Sequence, residues 1–211
     1  MKKLLTVTLI AAMLILPLGT VALADHEEAS AQAPSAQEYI PGGVPAQVDP
    51  AASMSPALHG VLLAMMNHQL SSLDTGDSAL SWEILYNMLS LYGQLDNRSE
   101  YADSDTLLLL SETVRDYCAA LGLSFDDLGP LPEELSDRIT YDAASDSYRV
   151  VCGNNDQARF EIRESVTSGS AVTLSGALVY LADGSDLAQF EAVLQSRDNM
   201  FGYTLVDFTL K

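Results

Sequence analysis

At Tyr148 the spacing of apolar residues along the chain changes period. Before it they recur every 3.6 residues, as on the buried faces of helices, and after it they alternate with polar residues, as in half-buried strands. Helices first and strands afterwards specify an α+β fold. We expect N-terminal helices packed on one face of a curved antiparallel meander of four to five strands.

The helical part reads as three segments. Ser55-Pro56 offers a capping hydroxyl and a first-turn proline, followed by Leu58, Leu62, Met65, Met66, Leu70 and Leu73 on one face. A second helix runs from about Ala79 to Tyr92, with Trp82, Leu85, Met88 and Leu89 as its stripe and Gly93 as its stop. A third opens near Ser104 and buries Leu107, Leu110, Val114, Tyr117, Cys118 and Leu121 before Gly122. Pro132-Glu133-Glu134-Leu135 adds a short turn.

Strict alternation then predicts strand register. Val150 pairs with Phe160 around Asn154-Asn155-Asp156, and Phe160 pairs with Leu178 around Ser168-Gly169-Ser170, where Gly169 supplies a positive φ. Leu178 pairs with Phe190, and Val206 of the last strand lies opposite Phe190. The same register puts Glu161 opposite Arg149 on the outer face. It also gathers Val179, Val193, Tyr203 and Leu205 there, with Val193 opposite Tyr203. An exposed apolar patch of this kind marks an interaction surface, for a partner or for a second copy in a homodimer.

Helices against a curved meander resemble the cone-shaped folds of the nuclear transport factor and cystatin-like groups. Gly176 and Ala192, facing each other mid-sheet, are where such a sheet would bend. The likeness is architectural, spans residues 55–211 and rests on no family motif. More generally the chain resembles uncharacterised secreted proteins of Gram-positive anaerobes. The cone implies a cavity between helices and sheet, which Trp82, Tyr92, Tyr117 and Tyr148 would line as a ligand pocket.

Lys2 and Lys3 precede an apolar run from Leu4 to Leu18, shorter than the roughly 20 residues of a membrane span, and Ala22-Leu23-Ala24 follows. Residues 1–24 therefore read as a signal peptide cleaved after Ala24, giving a secreted, extracellular protein with no stable membrane anchor. Residues 25–54, rich in Ala, Pro, Ser and Gln and holding the lone His26, read as a disordered linker. Residues 55–211 read as a single globular domain, helical over 55–139 and a β-meander over 140–211. Without Lys2 and Lys3, 29 acids face 8 bases, and a net charge of −21 disfavours nucleic acid as a partner.

The stretch Asp74-Thr75-Gly76-Asp77-Ser78 carries two hydrolase motifs at once. An aspartic protease needs a second carboxylate loop, and no second Asp-Thr-Gly exists. A serine esterase with a Gly-Asp-Ser block would use Gly153-Asn154-Asn155-Asp156 as its later block, but it also needs a histidine near the C-terminus. His26, His59 and His68 all precede Ser78. The stretch reads instead as a turn between helices, with Asp77 or Ser78 as the cap.

His59 and His68, nine positions apart on one helix, point to opposite sides and cannot share zinc. Asp96, Glu100, Asp103 and Asp105 lack the calcium-hand pattern, so we assign no metal, no cofactor and no catalytic residue. Cys118 and Cys152 both point toward the core, either as free thiols or as a disulfide. A bridge closing about 34 residues would contribute roughly 3 to 4 kcal/mol. The functional expectation is a secreted non-catalytic binding or interaction module of the cell envelope or extracellular space, whose partner is a protein or envelope component. The alternatives are a small-molecule pocket protein or enzyme with a cone-like cavity, and then an extracellular hydrolase.

Overall fold

The computed structural model describes residues 49–211. The segment read as a signal peptide, most of the one read as a linker, and His26 lie outside the described residues. Helix α1 spans Pro50–His68, so it starts before Ser55-Pro56. Asp49 accepts the Ala51 N–H at 3.0 Å and Pro50 takes the first turn, which makes Asp49-Pro50 a second start of the same form. Extension to it buries Met54. Pro56 therefore sits inside the helix, and Ser55 Oγ donates to the Ala51 carbonyl at 2.8 Å.

Helix α2, Ser78–Tyr92, runs antiparallel to α1. The two approach closely at Gly60, where a Cβ would stand 2.7 Å from Met88 Cγ and 2.9 Å from the Ile84 carbonyl oxygen. The next segment departs from its helical reading. β1 (Glu100–Tyr101) and β2 (Thr106–Leu110) precede α3, which spans Ser111–Ala120. The run Leu107 to Leu110 fits either period by itself. Pairing decides for the strand, burying Leu107 and Leu109 and leaving Leu110 exposed.

β3 (Ile139–Asp142) and β4 (Ser147–Val151) complete a first antiparallel sheet of order β1-β2-β4-β3. Val150 therefore pairs with Leu107 and Ile139, not with Phe160. The segment Asn154-Asn155-Asp156 is a crossover between two sheets instead of a hairpin loop.

The second sheet is the four-stranded meander itself: β5 (Ala158–Ser168), β6 (Ala171–Tyr180), β7 (Asp186–Ser196) and β8 (Tyr203–Leu210), in sequence order. Phe160 pairs with Leu178, and Gly169 turns the first hairpin at φ 64°. Beyond that point β-bulges break strict alternation. One at Leu178/Val179 pairs Leu178 with Ala188 and sets Phe190 opposite Gly176. Another at Val193/Leu194 pairs Val193 with Asp207, Leu194 with Leu205 and Phe190 with Leu210. Gly176 and Ala192 thus do not face each other, and Ala192 pairs with Leu174.

On the core side of this sheet three rings stack in parallel. Phe160 lies 5.3 Å from Phe190, and Phe190 lies 5.2 Å from Phe208. Gly176 makes room for them, because a Cβ there would meet the Phe190 ring at 2.7 Å and the Glu161 carbonyl oxygen at 2.1 Å. All three helices and both sheets contribute to one hydrophobic cluster. The result is an α+β fold whose helices and sheets share one buried core.

Candidate functional site

Three of the four aromatic residues read as pocket lining, Trp82, Tyr117 and Tyr148, are parts of that buried core, whereas Tyr92 lines an open hollow. Trp82 packs 5.9 Å from Tyr148, Phe125 lies against both, and Trp82 Nε1 donates to the Gly129 carbonyl at 3.3 Å. Tyr117 packs edge-on against Phe201 at 5.3 Å. Burial pushes the Tyr117 and Tyr148 phenols up to about 12. Tyr92 stands apart from these three, beside His59.

The outer apolar patch is also corrected. Val179, Tyr203 and Leu205 are buried and Val193 is half-buried. The bulge at the seventh strand lets Val206 protrude and turns Tyr203 and Leu205 to the side of Phe208. Val179 and Ala177 are buried outside the main cluster, on strand positions paired with Arg159 and Glu161. The four residues therefore form no exposed apolar patch.

The ion pairs follow the observed register. Arg149 lies 3.7 Å from Asp103, while Glu161 is taken by Arg159 and Arg163. Arg163 also holds Asp186 in two bonds of 2.6 and 2.8 Å, which keeps that carboxyl well below its usual range, at about 2. Cys118 and Cys152 are free thiols, the first buried and the second half-buried.

The residues of the double hydrolase motif are structural. Asp74 Oδ1 accepts the Gly76 N–H, Asp77 Oδ1 caps α2 through Ala79 and Leu80, and Ser78 Oγ donates to the Leu128 carbonyl. Tyr92, which holds His59, is at the other end of α2, roughly 20 Å away along the axis. His68 instead bonds Glu83 at 2.6 Å, so the two α1 histidines serve different partners.

The site the structure does assemble is a cleft where α1, α2 and the crossover after β4 converge. The crossover is pinned at both ends. The Cys152 N–H donates to Asp105 O at 2.7 Å, the Gly153 N–H to Ser90 O at 3.0 Å, and the Leu181 N–H to Gln157 O at 2.9 Å. Gly153 permits the approach, since a Cβ there would lie 3.0 Å from Ser90 Oγ. Asn154 Oδ1 accepts the Asp156 N–H at 2.6 Å, and its Nδ2 donates to the Asp156 carboxylate at 2.8 Å, so the turn is internally braced.

The cleft measures about 490 Å³, and its walls include His59, Tyr86, Asn87 and Ser90 from the helices and Asn155 and Gln157 from the crossover. A second hollow of about 360 Å³, bounded by Tyr92, Arg159 and Phe160, shares His59, Asn155 and Ala158 with it. His59 is thus the junction. It is 2 % exposed, stacks 5.0 Å from Phe160, and its Nδ1 lies 2.9 Å from Tyr92 Oη. Burial lowers its pKa to about 4 and raises that of Tyr92 to about 12, so both are neutral near pH 7.

Nε2 of His59 has no hydrogen-bond partner among the described residues, yet it is not among the sealed, unpaired polar atoms of the interior. The side-chain amides of Asn155 and Gln157 likewise have no partner there, whereas Asn87 donates from Nδ2 to Gly60 O and keeps its own carbonyl oxygen. This arrangement suits hydrogen bonding more than proton transfer. His59 is a weak base, Ser90 Oγ donates to Asn87 O, and the acid in the cleft wall, Asp156, accepts from Asn154.

The sequence offers His59 as a zinc ligand or an esterase base and Asn154 to Asp156 as a hairpin loop or an esterase block, and neither reading brings the two together. The usable signal was a histidine beside Leu58 and Gly60 on the apolar face of α1, opposite an α2 whose Asn87 and Ser90 interrupt an apolar run. No protein-family model matches the chain, and no curated protein matches it.

Proposed function

We propose that the protein is a secreted, non-catalytic binding module of the cell envelope or extracellular space, and that its recognition site is the cleft around His59. The observation that carries this reading is the group of unpaired hydrogen-bonding atoms facing one hollow, His59 Nε2 with the amides of Asn155 and Gln157, on a rigid frame. Ligand sites have this character: a largely pre-formed concavity with a few polar groups that fix orientation. The interior between helices and sheet is occupied by Trp82, Tyr117 and Tyr148, which weighs against an enzyme built around a central cavity. The N-terminal charge and apolar pattern supports export.

The test compares the protein with Asn155→Trp, which fills the point shared by both hollows, in a thermal-shift screen of small polar compounds. A compound that raises the Tm of the unsubstituted protein alone supports the cleft. Compounds that stabilise both proteins equally would place recognition elsewhere. Export is tested separately by N-terminal sequencing of protein from culture medium, which should begin at Asp25.

A further inference from the structure

The chemistry of the cleft narrows the class of ligand, and this step rests on the reading of the cleft as the recognition site. We propose that it takes a neutral saccharide of at least two units, laid across His59 and Asn155. The free groups there are of mixed kind. Each carboxamide carries two donors and an acceptor, and a neutral imidazole carries one nitrogen of each type. A sugar hydroxyl is itself both donor and acceptor, so such a set matches a run of hydroxyls.

Charge excludes the main competitors. The larger hollow has no Lys or Arg in its walls, and the smaller has only Arg159, which bonds Glu161 at 2.7 Å. Carboxylates and phosphates therefore find no free cation, and a chain with 29 acids against 10 bases repels them further. An organic cation would find a single carboxylate in the two walls, that of Asp156 at the rim, and no second charge to hold it. The free groups on the crossover side are side chains of a loop and not a strand edge, so an extended peptide would lose the backbone pairing that gives such ligands their affinity.

Shape points the same way. Two hollows joined at His59, Asn155 and Ala158 suit a ligand with repeating units. Tyr86 lies on the wall of one and Tyr92 on the wall of the other, and the apolar C–H surface of a sugar ring packs against aromatic side chains. The Arg138 guanidinium, 5.7 Å from the Tyr86 ring centre, holds that ring and leaves it no second free face, so a planar base cannot be sandwiched there. The frame is fixed before binding by the crossover's backbone bonds, which lowers the entropy cost of recognition.

Isothermal titration of the protein with cellobiose, maltose and N,N′-diacetylchitobiose, beside the tripeptides of glycine and alanine, decides the matter. We expect at least one disaccharide to bind saturably, with affinity reduced about tenfold in Asn155→Ala, the loss of roughly one hydrogen bond. Asn155 is exposed and bonds no described residue, so this variant should fold; a circular-dichroism melt verifies it. Disaccharide binding that Asn155→Ala leaves unchanged would overturn the proposal. Binding of a tripeptide but no sugar, weakened by Asn155→Ala, would overturn the ligand class and leave the cleft as the recognition site. Binding of neither class, with no hit in the Asn155→Trp comparison, would overturn both readings.

Discussion

The imidazole of His59 lies on the ring of Phe160, with centroids 5.0 Å apart and planes 18° from parallel. It is the fourth ring in the series of Phe160, Phe190 and Phe208, and the only one with polar atoms. A helix histidine that completes an aromatic stack is held neutral by its surroundings, while its edge still reaches a hollow open to solvent.

That burial makes stability depend on pH. The folded-state pKa of His59, about 4, is below the ordinary value of 6.5, so the unfolded chain takes up the proton first. The contribution is fully present above about pH 6.5 and is lost as pH falls toward about 4, on the order of 3 kcal/mol across the window. Urea unfolding at about pH 7 and about pH 5 should show this fall, and His59→Gln should flatten it while lowering stability at neutral pH.

Gly176→Ala should cost about 3 kcal/mol or more, because its Cβ would overlap the Glu161 carbonyl oxygen and the Phe190 ring. Gly169→Ala is the control. It meets nothing within 4 Å and should cost only the roughly 1 to 2 kcal/mol of a left-handed φ. Equal costs in thermal denaturation would mean that the stacked rings do not need the glycine.

The two thiols should react differently. Burial pushes Cys118 up to about 12 and also raises Cys152, but only Cys118 is fully enclosed. Alkylation of the native protein at about pH 8 should label Cys152 slowly and spare Cys118, and denaturation should expose both to equal labelling. An intact mass two hydrogens low, with no labelling after unfolding, would show a bridge instead.

Asp77→Ala should destabilise the protein by about 1 kcal/mol through loss of the α2 cap. Ser78→Ala removes a bond to the Leu128 carbonyl and no catalytic group, so ligand affinity should be unchanged in both variants once folding is accounted for. Calorimetric melts with ligand titration check the pair.

What the sequence made legible were the features set by local rules. The second helix with a cap at Asp77 or Ser78, of which Asp77 is the one used, the Gly169 turn, the Phe160–Leu178 register and the α+β fold follow from periodicity and turn chemistry. What it did not show depends on partners distant in the chain. Leu107 to Leu110 is a strand because β4 lies beside it, and bulges that no local signal announces turned Tyr203 and Leu205 inward. The cleft was hidden for the same reason, since His59, Asn87 and Asn155 meet only after the crossover between sheets is in place.

The most direct test of the cleft as a recognition site is the long-range proton–nitrogen spectrum of the His59 ring, recorded at about pH 7 with and without a compound selected in the thermal-shift screen. If the cleft is the recognition site, the imidazole stays neutral throughout, with Nε2 shifted on saturation and Nδ1, held against Tyr92, little changed. A saturating ligand that leaves Nε2 and the amides of 154–158 unmoved would contradict it.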